Sequence, residues 1–194
     1  WLGLQRTLMA GVAVNLGLGV LFLLSSTISR PLKGVAVLGV SLLVLLLSLA
    51  LPSWDKGILT SGPFLYAEEY LGRSDIEGAI KERADEILYY REGSVGTVSV
   101  HRLMNEVLTL KIDGKTDAST GPDMKTQVLL AHLPLLLHPS PQRALVIGLG
   151  SGITLGAVTR HPLKSIECLE VSPEVVEAAS YFKEHNHNAL ADPR

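Results

Sequence analysis

An apolar run at 144–147 (Ala-Leu-Val-Ile) enters a turn with glycine at every second position, Gly148, Gly150 and Gly152, and leaves it on a helical pattern at 153–159. A second apolar run at 164–169 ends on an acid, Glu170. Few folds accept that order. Strand, glycine turn, helix and strand open a parallel α/β sheet, and glycine is needed where the backbone turns left-handed or must approach a ligand closely. A carboxylate about twenty residues further on can grip the two hydroxyls of a ribose. The spacing predicts a Rossmann-like unit whose turn and acid hold an adenosine-bearing molecule. The candidate contacts are Gly148, Gly150, Ser151, Gly152 and Glu170, with Ser172 beside them. For Ser172, capping the helix that Pro173 begins at 173–184 is the simpler role.

Upstream the chain has a different character. No charge falls between Arg6 and Arg30, a stretch of 23 residues, or between Lys33 and Asp55, a stretch of 21. Each is long enough to cross a hydrocarbon core of about 30 Å as a helix. These runs carry much of the excess in a mean hydropathy of +0.30. Glycines 11, 17 and 19 suit close helix packing. Pro52 and Trp54 read as the exit from the bilayer. Residues 1–52 are therefore expected to be two transmembrane helices in contact with lipid. The short loop with Arg30 and Lys33 favours one orientation, and Arg6 and Lys56 the other. A cytoplasmic soluble domain suits a ligand made in the cytoplasm. The net charge of −2 offers no broad basic surface for nucleic acid. The single cysteine, Cys168, excludes a disulfide framework and a cysteine zinc cluster, and reads as a core thiol.

Between these parts, residues 53–85 read as a linker ending in a short helix. Alternating patterns at 87–91, 95–101 and 107–112 predict strands, with a hairpin through 102–106 and a turn at Asp113-Gly114. Residues 86–121 thus form a small antiparallel module, closing on a loop at 117–122. Residues 123–138 read as a helix that Pro134 should kink or end. Residues 122–194 make up the N-terminal part of the Rossmann-like domain. The chain starts on Trp1, and two parallel strands cannot close a doubly wound sheet, so it reads as a piece of a longer protein.

The series Asp113-Gly-Lys-Thr-Asp-Ala-Ser-Thr, then Thr126-Gln-Val-Leu-Leu-Ala-His, then Leu145-Val-Ile-Gly-Leu-Gly-Ser-Gly, then Leu169-Glu-Val-Ser-Pro-Glu resembles the spermidine synthase family. With hydrophobic helices ahead of it, and Trp54-Asp-Lys-Gly, it is most similar to the bacterial membrane-fused branch. The resemblance covers roughly residues 54–194. It implies an N-terminal β module followed by a methyltransferase-type Rossmann-like domain. It also implies aminopropyl transfer from decarboxylated S-adenosylmethionine to an amine, with no metal, in a multi-pass protein of the bacterial inner membrane. On this resemblance Gly148, Gly150 and Gly152 fall on the glycine motif and Glu170 on the acid that binds the ribose. His132 falls on a recurring histidine without an assigned role. The family's catalytic Asp would lie beyond Arg194, so the isolated piece is expected to be inactive. Three slots depart from the family. Ser151 stands where an Asp is usual. Thr126, Gln127 and Val128 stand where Tyr-His-Glu is usual. The region of Val95-Gly96 replaces a glutamine.

Two other readings of the same residues stay open: an S-adenosylmethionine-dependent methyltransferase, and a non-catalytic membrane transporter or sensor with a nucleoside-binding domain. Asp123 and Gln127, one helical turn apart, are the candidates for contact with an amine substrate. Asp113, Asp117 and Ser119 are weaker candidates near a turn, Tyr89 and Tyr90 read as sheet packing, and Glu174 and Glu177 as a charged face at a helix start. His185 and His187 lack further ligands for a metal site, and His101, His138 and His161 suggest no serine triad. A homo-oligomer is compatible with all of this.

Overall fold

The computed structural model describes residues 3–27, 29–50, 52–82 and 85–194. The chain divides into two compact units, Trp1–Trp54 and Asp55–Arg194.

The first unit is a helical hairpin. Helices α1 (Leu4–Ser25) and α2 (Arg30–Ala50) expose apolar side chains along their length, and both contain windows long and apolar enough to span a membrane. Lys33 closes the turn between them. Its ammonium donates to the carbonyls of Leu24 and Ser26, both at 2.6 Å, which satisfies acceptors that the end of α1 leaves over. At the open end, the Gln5 side chain donates to the Pro52 carbonyl and accepts from the Trp54 N–H.

The second unit begins with α3 (Lys56–Leu59), capped by the Asp55 carboxylate, a 3₁₀ turn at Ala67–Tyr70, and α4 (Ile76–Glu82). Four antiparallel strands follow in the order β1 (Glu86–Glu92), β2 (Thr97–Arg102), β3 (Leu108–Ile112) and β4 (Lys115–Ser119). The fourth strand corrects the loop expected at 117–122. Asp113 and Gly114 hold φ of 49° and 80°, so the chain reverses within two residues and Lys115 pairs with Ile112. The polar residues of β4 hid the strand, because an edge strand needs no apolar face on both sides.

Helix α5 (Met124–Leu137) contains Pro134 and runs on to Leu137. The proline sits in the last turn, where little helix remains to be broken, and its carbonyl accepts from the His138 N–H. Strands β5 (Arg143–Ile147) and β6 (Ser165–Leu169) pair in parallel across α6 (Ile153–Val158). The helix expected at 173–184 is shorter: α7 (Pro173–Ala178) gives way to 3₁₀ geometry at Ala179–Phe182.

One core joins the two sheets. Val98, Val100 and Leu110 of the antiparallel sheet pack with Leu155, Val175, Ala178 and Phe182. Cys168 is half-buried against this core, and burial, with the nearby Glu170 charge, pushes its thiol pKa up. Tyr89 ties β1 to α7, donating to the Glu174 carbonyl and the Glu177 carboxylate, with its ring 5.6 Å from that of Tyr181.

Candidate functional site

The ends of β5 and β6 lie side by side, Ile147 opposite Leu169, and the glycine turn starts from there. Gly148, Gly150 and Gly152 have φ of 84°, 55° and 79°, a region that side chains with a Cβ resist. The three glycines serve different ends. A Cβ on Gly148 or Gly150 would meet open space, so main chain is bare on that side. A Cβ on Gly152 would press on the Asn186 side chain. The bareness at 148 and 150 is what close approach by a ligand requires.

Glu170 is the charged group at this turn. One carboxylate oxygen accepts from the Leu149 N–H at 2.8 Å. The other accepts from Val171 N–H at 2.8 Å and Ser172 N–H at 2.9 Å. Partial burial works against ionisation, but the N–H groups of Ser172, Leu149, Val171 and Gly150 outweigh it and hold the pKa below the ordinary glutamate value. The side chain is thus ionised at neutral pH and locked in direction. A carboxylate offers about four acceptor positions, and the N–H groups of Leu149, Gly150, Val171 and Ser172 draw on all of them, so a hydroxyl donor would share an oxygen with one of these.

Ser151 faces the other way. It is 1% exposed, and its hydroxyl donates to Gln127 at 2.7 Å and accepts from the Ile153 N–H. Gln127 in turn donates to the Ser119 carbonyl and to Asp123. Asp123 also accepts from the N–H and hydroxyl of Ser119. The structure therefore brings Asp123, Gln127, Ser119 and Ser151 into one network running from the end of β4, through α5, to the glycine turn. Thr154 adds a bond to the Gln127 carbonyl. Ser172 caps α7, accepting from Val175 N–H at 3.3 Å, and donates to Glu174. His132 is drawn to His161, with ring nitrogens 2.8 Å apart, and stands apart from this network.

Asn186 carries no signal in the sequence, yet it buttresses the turn. Its buried amide donates to the carbonyls of Ser151 and Ala179, both at 2.9 Å. Gly156 lets it sit there, since a Cβ at that position would collide with the Asn186 carbonyl.

Residues 124–194 match the family model described as the spermine/spermidine synthase domain. The spermidine synthase of Dictyostelium discoideum is 33% identical over 103 residues, covering 53% of this chain and 32% of that protein. The polyamine aminopropyltransferase of Thermotoga maritima is 28% identical over 131 residues, covering 66% of this chain and 43% of its own length. Among solved structures, a spermidine synthase in complex with the transition state analogue AdoDATO superposes with a TM-score of 0.52 at 28% identity, over 56% of this chain and 37% of that one. The spermidine synthase from Thermotoga maritima gives 0.51 at 27%, over 56% and 39%. The part of the chain that these comparisons cover is similar in sequence and in fold to spermidine synthases. The chain spans 32% and 43% of the lengths of these two curated relatives.

Proposed function

We propose that the protein to which this chain belongs is a membrane-anchored transferase of the spermidine synthase type. It moves an aminopropyl group from decarboxylated S-adenosylmethionine to an amine. The observation that carries this is the pairing of bare main chain at Gly148 and Gly150 with the fixed, ionised Glu170. The related structure holding a transition state analogue supports the same reading. Gly148 and Gly150 would lie against the nucleoside and Glu170 would accept from its ribose. Ser151, Gly152 and Ser172 hold the turn and the start of α7 in place. Asp123 and Gln127 act on the site through Ser151, since their polar atoms are already bonded to Ser119, to each other and to that hydroxyl.

The donor supplies a sulfonium, a good leaving group. What remains for the protein is to align the amine and accept its proton. The acceptor is a small-molecule amine. Helices α1 and α2 anchor the protein in the bilayer, with the soluble domain on the cytoplasmic side.

The test is product formation by the full-length protein. Decarboxylated S-adenosylmethionine with a diamine should yield methylthioadenosine, and S-adenosylmethionine should not replace it. Methyl transfer from S-adenosylmethionine would favour the methyltransferase reading. Nucleoside binding without any product would favour a sensor.

A further inference from the structure

The helical hairpin carries a feature that the proposed transfer chemistry does not use. A groove of about 550 Å³ opens at its turn end, with Leu24 of α1 on one side. From α2 come Arg30 and Lys33 next to the turn, Gly34 beside them, Val37 and Leu38 one turn deeper, and Ser41 at the far end. Spacing by three and four puts these residues on one face of α2, over about 16 Å of helix. The face is graded, with both cations at the turn and apolar wall beyond them. Gly34 leaves the floor bare where the two parts meet, since a Cβ there would find nothing within 4 Å.

The hairpin has no carboxylate to answer these two charges, because residues 1–54 contain neither Asp nor Glu. Lys33 donates to the Leu24 and Ser26 carbonyls, both at 2.6 Å, and this fixes its ammonium at the rim of the groove. Carbonyls accept hydrogen bonds without cancelling the charge, and one of the three ammonium N–H groups is left over. Arg30 stands exposed three residues before it. A guanidinium matches phosphate oxygens in pairs, and an ammonium binds them as a point charge. Like charges this close on a helix repel each other until an anion lies between them.

We propose that this groove binds one anionic glycerophospholipid, which rests on the reading of α1 and α2 as membrane-spanning. The phosphodiester meets the Arg30 guanidinium and the remaining Lys33 N–H. The glycerol lies over Gly34, and an acyl chain follows Val37 and Leu38 into the bilayer. Charge complementarity selects an anionic headgroup, because a zwitterionic one brings a third cation to the two already present. The apolar half selects a lipid over a soluble phosphate, which has nothing to place against Val37 and Leu38.

The test uses the full-length protein in two stages. Membranes holding it are first washed with alkaline carbonate, and the chain should stay with the membrane. Release of the wild-type chain would overturn the anchoring reading and this proposal together. The protein is then taken into detergent with equal amounts of phosphatidylglycerol and phosphatidylcholine of the same acyl chains, and bound lipid is counted by native mass spectrometry. Phosphatidylglycerol should be preferred by about tenfold or more. Arg30→Gln should cut that preference to about threefold or less, and Arg30→Lys should keep most of it. Gly34→Leu fills the groove floor without touching a charge. It should lower phosphatidylglycerol binding by about tenfold, with carbonate retention and circular dichroism unchanged. Glycerol 3-phosphate at about 10 mM, well above a millimolar Kd, should not displace the lipid. The proposal is overturned, with the anchoring reading left standing, if a retained chain binds the two lipids alike. It is equally overturned if Arg30→Gln keeps the full preference, if Gly34→Leu binds like the wild type, or if glycerol 3-phosphate displaces the lipid and so assigns the groove to a soluble phosphate.

Discussion

The Asn186 side-chain amide donates to the carbonyl of Ser151 at 2.9 Å, so a residue 35 positions downstream fixes the back of the glycine turn. The same amide satisfies the Ala179 carbonyl. Asn186→Ala would leave two buried acceptors without donors, and should cost about 2–3 kcal/mol in urea unfolding. Asn186→Asp should cost more, because it replaces the donors with a buried charge.

Glycines of this region should separate into two kinds. Gly156→Ala forces a Cβ into the Asn186 carbonyl and should destabilise by about 2–3 kcal/mol through overpacking. Gly150→Ala meets open space and carries only the cost of left-handed geometry, about 1–2 kcal/mol. Its larger effect should be on nucleoside affinity, since the new methyl occupies the bare side of the turn. Unfolding curves and calorimetry on the same two variants check this; equal stability losses with unchanged affinity would contradict it.

How much of this was legible beforehand follows from the range over which each signal acts. The glycine turn, Glu170 and the Ser172 cap are local patterns, and β5, α6 and β6 lie where periodicity put them. The hairpin helices are equally plain, because composition alone marks them. β4 escaped because Lys115, Thr116 and Asp117 look like loop. Its pairing comes from the Asp113-Gly114 reversal, not from apolar alternation. Asp123 and Gln127 were correctly placed on one helix face, but spacing along a helix does not tell what that face meets. Here it meets Ser119 and Ser151. Asn186 and Gly156 were invisible because the groups they meet across the turn lie far along the chain.

Coupling across the network can be measured directly. The Gln127 and Ser151 side chains share a 2.7 Å hydrogen bond. A double-mutant cycle of Gln127→Ala and Ser151→Ala should return a coupling energy of about 1 kcal/mol. Additive effects would show that the bond contributes nothing to the fold of the turn.

His101 gives a pH dependence with a defined sign. Burial first, and the Lys111 charge second, lower its pKa from 6.5 to about 4. The unfolded chain therefore binds a proton on this residue before the folded one does. Its effect on stability is absent above pH 6.5, and the fold loses stability as pH falls from there towards 4. The total is on the order of 3 kcal/mol if no other group compensates. His101→Gln should flatten that part of the stability profile. A profile of unchanged slope would place the acid sensitivity elsewhere.

The central claim is that an ionised Glu170, held by the N–H groups of Leu149, Val171 and Ser172, grips a nucleoside over bare main chain. The most direct test is the affinity of the full-length protein for methylthioadenosine, compared with that of its Glu170→Gln variant at neutral pH. Glutamine keeps an acceptor oxygen but loses the charge and offers donors to a site lined with N–H groups. The account predicts a loss of affinity of at least about tenfold, with the fold retained by circular dichroism. Equal affinity in the two proteins would contradict it.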